Sequence, residues 1–401
     1  MLAAWPSSVE TQYALAQLSM QRADAARAAY WLNRCAELRP GDHDLRLELA
    51  STLAASGDSV NAIAELRTIV REDSGAFSAW LLLGELLTLR GSHIDGLKAK
   101  QQALSQAQVR GEWRTENSIP QHMRSLVLQA AASVREGKCE LFYASYEGVR
   151  QEYGSGALSR VDRALAGYLG SESSLPPDPR QRPKFFFFPG LPPGPYHDPF
   201  LQPWAKALQQ SFAGIREEAI RVWTEDQQFD PFLALSQGAR MEDYLTNSSG
   251  KPSWEAFFFY RHGERFDANH ARCPNTSALL ESVELCRVEN QAPEVCFSVL
   301  SAGTHILPHY GVTNTRLVMH LPLVVPGECA LNILGDGGEH HWREGELMMF
   351  DDTFQHEAWN RSATPRIILL MDCWNPHLTG IEQKAVKQLV ETISAFERAN
   401  N

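Results

Sequence analysis

Two different rhythms of apolar residues run along the chain. Over the first 110 residues, Ala and Leu recur at helical spacing and turn signals return at regular intervals. Ala16, Ala50 and Gly84 are each 34 residues apart, as are Ala23, Gly57 and Gly91, and Ala28, Ala62 and Gly96. Small residues are needed where the two helices of a hairpin pack closely, and a tight turn tolerates little side chain. Pro40 follows the second helix of the first unit, where the chain must stop being helical. Blocks such as Leu81-Leu82-Leu83 and Leu86-Leu87 supply the core face. Helices are predicted to continue through 110–170, for example over 123–135 and 139–153.

The second rhythm begins after a break. Residues 171–184, SESSLPPDPRQRPK, are rich in Ser, Pro and charge and read as a linker. The aromatic run 185–188 predicts a buried first strand, and one amphipathic helix is predicted over 203–221. From Trp254 onward, short β-branched and aromatic segments such as EVCFSVL, TRLVMHLPLVV and RIILLMDCW alternate with turns. This pattern predicts an all-β barrel or jelly roll.

The 34-residue period resembles the tetratricopeptide repeat family over about residues 8–108, as three degenerate units. The resemblance implies stacked helical hairpins with a concave groove for a peptide or partner. A plain scaffold or dimerisation arm fits the same pattern. The predicted organisation is an all-α repeat region over 1–110, a helical cap or connector over 111–170, a linker over 171–184 and a β domain over 185–401.

Composition narrows the function. The chain is 44% hydrophobic and 21% charged, as in ordinary globular proteins. It has no apolar run of about 18 residues, so no membrane span is expected. The opening MLAAWPSSVETQ lacks a basic start and a long apolar stretch, so no secretory signal is expected. A net charge of −11 argues against a general phosphate-backbone binder, and no nucleic-acid partner is expected. The 7 cysteines are odd in number, widely spaced and form no CxxC. Neither a disulfide scaffold nor a cysteine zinc site is predicted, and the reducing cytoplasm is the expected compartment.

Candidate chemistry lies in the strand-rich half. Of 13 histidines, seven fall between positions 305 and 377. Histidine is the commonest metal ligand and is costly to bury without a partner. His309, in LPHYG, follows one predicted strand, and His356, in FDDTFQHEAW, follows another. Arg366, ten residues beyond His356, begins the next. That order predicts a jelly-roll iron site. Two imidazoles hold Fe(II), and a dicarboxylate chelates the metal through its oxo-acid end. Its far carboxylate takes the planar fork of a buried Arg. The usual triad carboxylate, two residues after the first His, is replaced by Gly311. On these residues alone, a barrel without activity or an ordinary cupin remains an alternative.

The stretches GTHILPHYGVTNTRLVMHLPLVVP and WREGELMMFDDTFQHEAWNRSATPRIILLMDCWNPHLT resemble the aspartyl/asparaginyl β-hydroxylase family. The motifs are PHxGxTNxRLxxHL, FDDxFxHExW and RxxxxxDxWxPxLT, and the resemblance covers about residues 183–385. It implies a double-stranded β-helix (jelly-roll, cupin-like) using Fe(II), 2-oxoglutarate and O2. It also implies the branch in which glycine replaces the triad carboxylate. Family members with tetratricopeptide repeats ahead of the catalytic domain are known. Residue by residue, the resemblance implies that His309 and His356 bind iron and that Arg366 pairs with the C5 carboxylate of 2-oxoglutarate. Ser298 and His320 would hydrogen-bond the co-substrate, and Tyr260 would lie beside the same pocket. Asp352 would hydrogen-bond a metal-bound water and orient His356.

Two departures stand out. Val318 occupies the place of a second family Arg, and the cysteine pair of secretory-pathway members is not evident around Cys273. Other residues have plainer readings. Asp351 is expected to cap a turn, and His340-His341 to sit at a solvated hairpin tip. His305 is read as a pocket residue or a structural hydrogen-bonding group.

The expected function is that of a dioxygenase hydroxylating an unactivated carbon, the β-carbon of Asp or Asn in a protein or peptide. The helical repeats would hold part of that substrate. A lipid acyl-chain hydroxylase of the same family is the first alternative. A non-catalytic peptide-binding repeat protein with a degenerate barrel is the second. The degenerate barrel would have lost a metal His or the Arg, yet all three are present. A cupin-type isomerase would need three or four protein ligands and no Arg at 366.

Overall fold

The computed structural model describes residues 8–398, except 173–174, 227–228, 236–237, 249 and 336–337. The chain divides into two compact units, Met1–Leu141 with Ala395–Asn401, and Phe142–Ser394.

The first unit is built from helical hairpins. They are α1 (Val9–Gln21) with α2 (Ala25–Leu38), α3 (His43–Ala55) with α4 (Ser59–Glu72), and α5 (Phe77–Leu89) with α6 (His93–Val109). Corresponding helices start 34 residues apart, at Val9, His43 and Phe77, and at Ala25, Ser59 and His93. The turn positions Ala23, Gly57 and Gly91 all take positive φ, at 57°, 90° and 83°. The close-packing positions Ala16, Ala50, Ala28 and Ala62 have no exposed surface. In the third hairpin the helices meet glycine against glycine. A Cβ on Gly84 would stand 2.9 Å from the Gly96 carbonyl oxygen, and one on Gly96 would stand 2.9 Å from that of Gly84. Any side chain there would force the helices apart.

Helix α7 (Arg124–Ala144) follows, then α8 (Glu147–Tyr153) and α9 (Ser159–Tyr168). The sequence pattern predicted a break near 136–138, but the helix runs through it. Gly137 serves packing instead, since a Cβ there would meet Leu97 at 2.4 Å. The helix predicted over 203–221 is two helices, α10 (Ala205–Gln210) and α11 (Phe212–Asp226).

The second unit carries the strands. They are β1 (Tyr196–His197), β2 (Asp230–Pro231), β3 (Leu245–Asn247), β4 (Trp254–Arg261), β5 (Glu264–Arg265), β6 (Val295–Leu300) and β7 (Thr304–His309). After them come β8 (Arg316–Val324), β9 (Cys329–Ile333), β10 (Glu339–His341), β11 (Met348–Phe350), β12 (His356–Asn360) and β13 (Arg366–Trp374). Helices α12 (Asp267–Arg272) and α13 (Pro274–Ser282) lie between β5 and β6 in the chain, and α14 (Gly380–Arg398) follows β13. The larger sheet has the order β1-β11-β8-β13-β6-β4-β2 with β5 on β4, and the smaller has β10-β9-β12-β7-β3. From β6 to β13 the chain passes back and forth between them. β6, β8, β11 and β13 join the larger sheet, and β7, β9, β10 and β12 the smaller. All these pairings are antiparallel, and the topology is that of a double-stranded β-helix.

Period two decides what faces the interior. On β13, Ile367, Leu369, Met371 and Cys373 pack toward Leu208, Ile215, Ala219, Val222 and Leu280 of α10, α11 and α13. Ile368 and Leu370 turn the other way, into a second core shared with Ile306, Leu331 and Ala358 of the smaller sheet. Both faces are therefore buried, which is why RIILLMDCW reads as one unbroken apolar run. Each such buried Leu or Ile contributes about 1.5–3 kcal/mol.

The aromatic run 185–188 is not a regular strand. Phe186 and Phe188 are buried, but only Phe186 makes a single bridge, to Thr313. The segment is held by loop carbonyls instead, through Lys184 N–H to Gly311 O (3.0 Å) and Phe185 N–H to Val312 O (2.9 Å).

Candidate active site

Between the two sheets lies a cavity of about 180 Å³, and His309, His320, His356, Ser298 and Arg366 all line it. Their strands explain the convergence. His309 closes β7, His356 opens β12, and the antiparallel register sets the two directly opposite. A register shift between His356 and Ala358 breaks simple alternation there. Ile306 faces the interior core, yet three residues later His309 also reaches the cavity.

The imidazole rings stand 4.1 Å apart between centroids, inclined at 55°. Each Nδ1 lies 2.9 Å from a backbone carbonyl two residues earlier, Leu307 O for His309 and Phe354 O for His356. A carbonyl only accepts, so each Nδ1 donates and each Nε2 keeps the lone pair. Burial pushes both imidazoles below their usual range, His356 to about 3. Two neutral imidazoles with oriented lone pairs are what a divalent metal requires.

Arg366 lies at the start of β13 and is 2% exposed. Its Nε and Nη2 are buried without a hydrogen-bond partner among the described residues. Burial lowers its pKa to about 10. The guanidinium carbon sits 5.0 Å from the centre of the Trp342 ring. A sealed cation without a counter-ion costs several kcal/mol, so the place is shaped for an anion. Both ring nitrogens of His320 are likewise buried and unpartnered, and burial holds that ring neutral. Ser298 accepts from Trp254 Nε1 at 2.9 Å, which leaves its own O–H as the donor that can turn to the cavity.

Gly311 and Asp352 share one space. A Cβ at Gly311 would stand 2.1 Å from the Asp352 carboxyl carbon. Asp352 Oδ2 pairs with Arg316 Nη2 at 3.3 Å, while Oδ1 is buried without a partner among the described residues. Arg316 Nη1 also donates to Asp372 Oδ1 at 2.6 Å. Burial raises the Asp372 carboxyl to about 6. The Arg316–Asp372 link was not foreseen from the sequence. Its signal is the inward phase of β8, in which Arg316, Val318 and His320 alternate into the cavity.

Two expectations need correction. Tyr260 does not line the cavity. A register shift between Phe258 and Tyr260 turns it into the helix-facing core, where its hydroxyl accepts from Arg265 Nη1 at 2.9 Å. The aromatic that β4 presents to the cavity is Trp254, stacked on Phe232 at 3.9 Å. Asp352 lines the cavity and Arg316 holds it through Oδ2, but it is Phe354 O, not the Asp352 carboxylate, that orients the His356 ring.

The remaining residues have structural partners. Asp351 Oδ1 accepts from Thr353 N–H at 2.9 Å and from the Thr353 hydroxyl at 2.5 Å, the turn cap expected, and burial raises its carboxyl to about 7. His305 Nε2 pairs with Glu357 at 2.8 Å, and His340 and His341 are exposed on β10.

The donor set therefore fits a divalent metal and an anion on this chain's own geometry. It offers two neutral nitrogen donors on one side and an unpaired buried guanidinium on the other. Residues 209–376 match the model of the family described as Aspartyl/Asparaginyl beta-hydroxylase. Aspartate beta-hydroxylase domain-containing protein 2 of Mus musculus is 30% identical over 265 residues, 64% of this chain and 72% of that protein. Aspartyl/asparaginyl beta-hydroxylase of Homo sapiens is 31% identical over 185 residues, 45% of this chain and 22% of that protein. The ornithine lipid ester-linked acyl 2-hydroxylase of Rhizobium tropici is 30% identical over 183 residues, 45% of this chain and 61% of that protein. This chain belongs to the aspartyl/asparaginyl β-hydroxylase family. It spans between 66% and 75% of the length of the relatives that bear the first of these three names. Among solved structures, the Sgt2 TPR domain from Aspergillus fumigatus matches 32% of this chain and 80% of that one, at 15% identity and a TM-score of 0.27.

Proposed function

We propose that this chain is an Fe(II)- and 2-oxoglutarate-dependent dioxygenase that hydroxylates the β-carbon of Asp or Asn in a protein or peptide. The observation that carries the reading is the pairing, in one cavity, of two neutral imidazoles with a buried guanidinium that has spare donors. Iron(II) with 2-oxoglutarate and O2 supplies the oxidising power for an unactivated C–H bond. His309 and His356 would hold the metal through Nε2, each ring fixed by a backbone carbonyl. Arg366 offers its planar fork to the far carboxylate, and Ser298 and His320 add hydrogen bonds. Asp352, held in place by Arg316, would keep Oδ1 open to accept a hydrogen bond from a water beside a bound metal. The apolar walls from Ile306, Val318, Leu331 and Phe350 exclude bulk water.

The peptide reading takes its substrate from the name of the human relative, and the helical repeats offer a surface that would hold such a chain. The test is mass spectrometry of candidate peptides and lipids incubated with the full chain, Fe(II) and 2-oxoglutarate. The expected result is one added oxygen on Asp or Asn. Addition to an acyl chain alone would replace this substrate with the lipid class that the Rhizobium relative's name carries.

A further inference from the structure

The cavity wall also holds a buried indole donor. Trp342 follows β10 directly and is 5% exposed. Its indole Nε1–H is sealed from solvent and has no acceptor among the described residues. The ring lines the cavity, faces the Arg366 guanidinium carbon at 5.0 Å, and lies 6.0 Å from the His320 ring. Buried indole N–H groups nearly always find a partner, so an orphan beside two other orphaned donors points to a shared missing acceptor. Arg366 Nε and Nη2 and both ring nitrogens of His320 are unpartnered in the same place.

We propose that Trp342 is a further co-substrate-binding residue, whose Nε1–H donates to the carboxylate that Arg366 pairs with. This rests on the 2-oxoglutarate reading above. The chemistry is that of a carboxylate with more lone pairs than one guanidinium fork can fill. The fork takes the in-plane approach, and the indole adds a neutral donor from the side while its ring covers the cation. That arrangement favours a terminal carboxylate over a neutral chain end of the same length. A neutral end would leave the guanidinium, the indole and His320 all without an acceptor.

The test uses the full chain loaded with Mn(II), which binds without turnover, and calorimetric titration. Two ligands are compared, 2-oxoglutarate and 2-oxobutyrate, which lacks the distal carboxylate. Trp342→Phe keeps a ring under Arg366 but removes the N–H. The expected result is a Kd for 2-oxoglutarate raised about tenfold or more, with the Kd for 2-oxobutyrate unchanged. In the wild-type chain loaded instead with diamagnetic Zn(II), one indole N–H resonance that Trp342→Phe removes should move downfield on adding 2-oxoglutarate and stay still with 2-oxobutyrate. Equal weakening of both ligands would assign Trp342 to packing alone and overturn the proposal, as would wild-type affinity in the variant. A wild-type chain that binds 2-oxobutyrate no worse than 2-oxoglutarate would overturn the parent reading as well, and is distinguishable because it needs no variant.

Discussion

Arg366 and Gly311 show how single positions fix the chemistry. With two guanidinium nitrogens unpartnered among the described residues and only 2% exposure, Arg366 would gain most from an arriving anion. Arg366→Ala should raise the apparent Kd for 2-oxoglutarate by one to three orders of magnitude, since a desolvated charge pair is worth about 2–5 kcal/mol. Arg366→Lys should restore only part of it, because a point charge lacks the fork. Unchanged affinity in the Ala variant would remove Arg366 from the site. Gly311 is fixed by crowding, because the Asp352 carboxyl already fills the space a Cβ would take. Gly311→Ala should cost about 1–3 kcal/mol by chemical denaturation. The loss should shrink in the Asp352→Ala background, and a strictly additive double variant would contradict the shared space.

The His356 ring gives a pH dependence whose sign follows from its burial. Its folded value of about 3 lies below the usual 6.5, so the unfolded chain takes up the proton first as pH falls. Stability of the metal-free protein should therefore rise with pH between about 3 and 6.5, by roughly 1.4 kcal/mol per unit from this group. His356→Gln should flatten that part of the profile in urea titrations. A variant with the same slope as the wild type would show that the ring is not held neutral.

At the level of elements, periodicity carried most of the architecture. The 34-residue interval in Ala and Gly marks the helix starts themselves, because one hairpin repeats one steric requirement. The turn makes this testable. Ala23 sits at φ 57°, where its counterparts are glycines at 90° and 83°. Ala23→Gly should stabilise the first unit by up to about 1 kcal/mol, whereas Gly57→Ala should destabilise it by a similar amount. Thermal unfolding monitored by helical circular dichroism reads both, and a destabilising Ala23→Gly would reverse the argument. The strands were legible for the same reason, since β13 and β8 are buried on both faces. The errors fell where local geometry overrides the period. A register shift turned Tyr260 away from the cavity and left Trp254 to line it. The gap left between the helices expected over 123–135 and 139–153 holds Gly137, which is a packing contact with Leu97 inside one continuous helix. The 185–188 run alternates buried and half-buried side chains but spends its hydrogen bonds on loop carbonyls, which no spacing rule shows.

At the level of the whole molecule, each unit has its own core. Leu32, Leu49, Leu66 and Leu83 lie in cores of the helical unit, and Phe297, Leu321 and Leu369 in a core of the β unit. The motifs that matched the family all fall in the second unit, on β7, β8, β12, β13 and their loops. His309, His356 and Arg366, the residues proposed to hold the metal and the co-substrate, could be singled out in the sequence because each stands at a strand end. The polar supports, Arg316 with Asp352 and Asp372, were not, because their pairing spans strands far apart in the chain. The most direct test of the account is succinate formation from 2-oxoglutarate by the full chain with Fe(II) and O2, compared with His356→Ala. The wild type should make succinate and lose that activity with a chelator, and the variant should make none. A wild-type chain that makes no succinate with any hydroxylatable peptide or lipid, or a variant that makes it at the wild-type rate, would contradict the central claim.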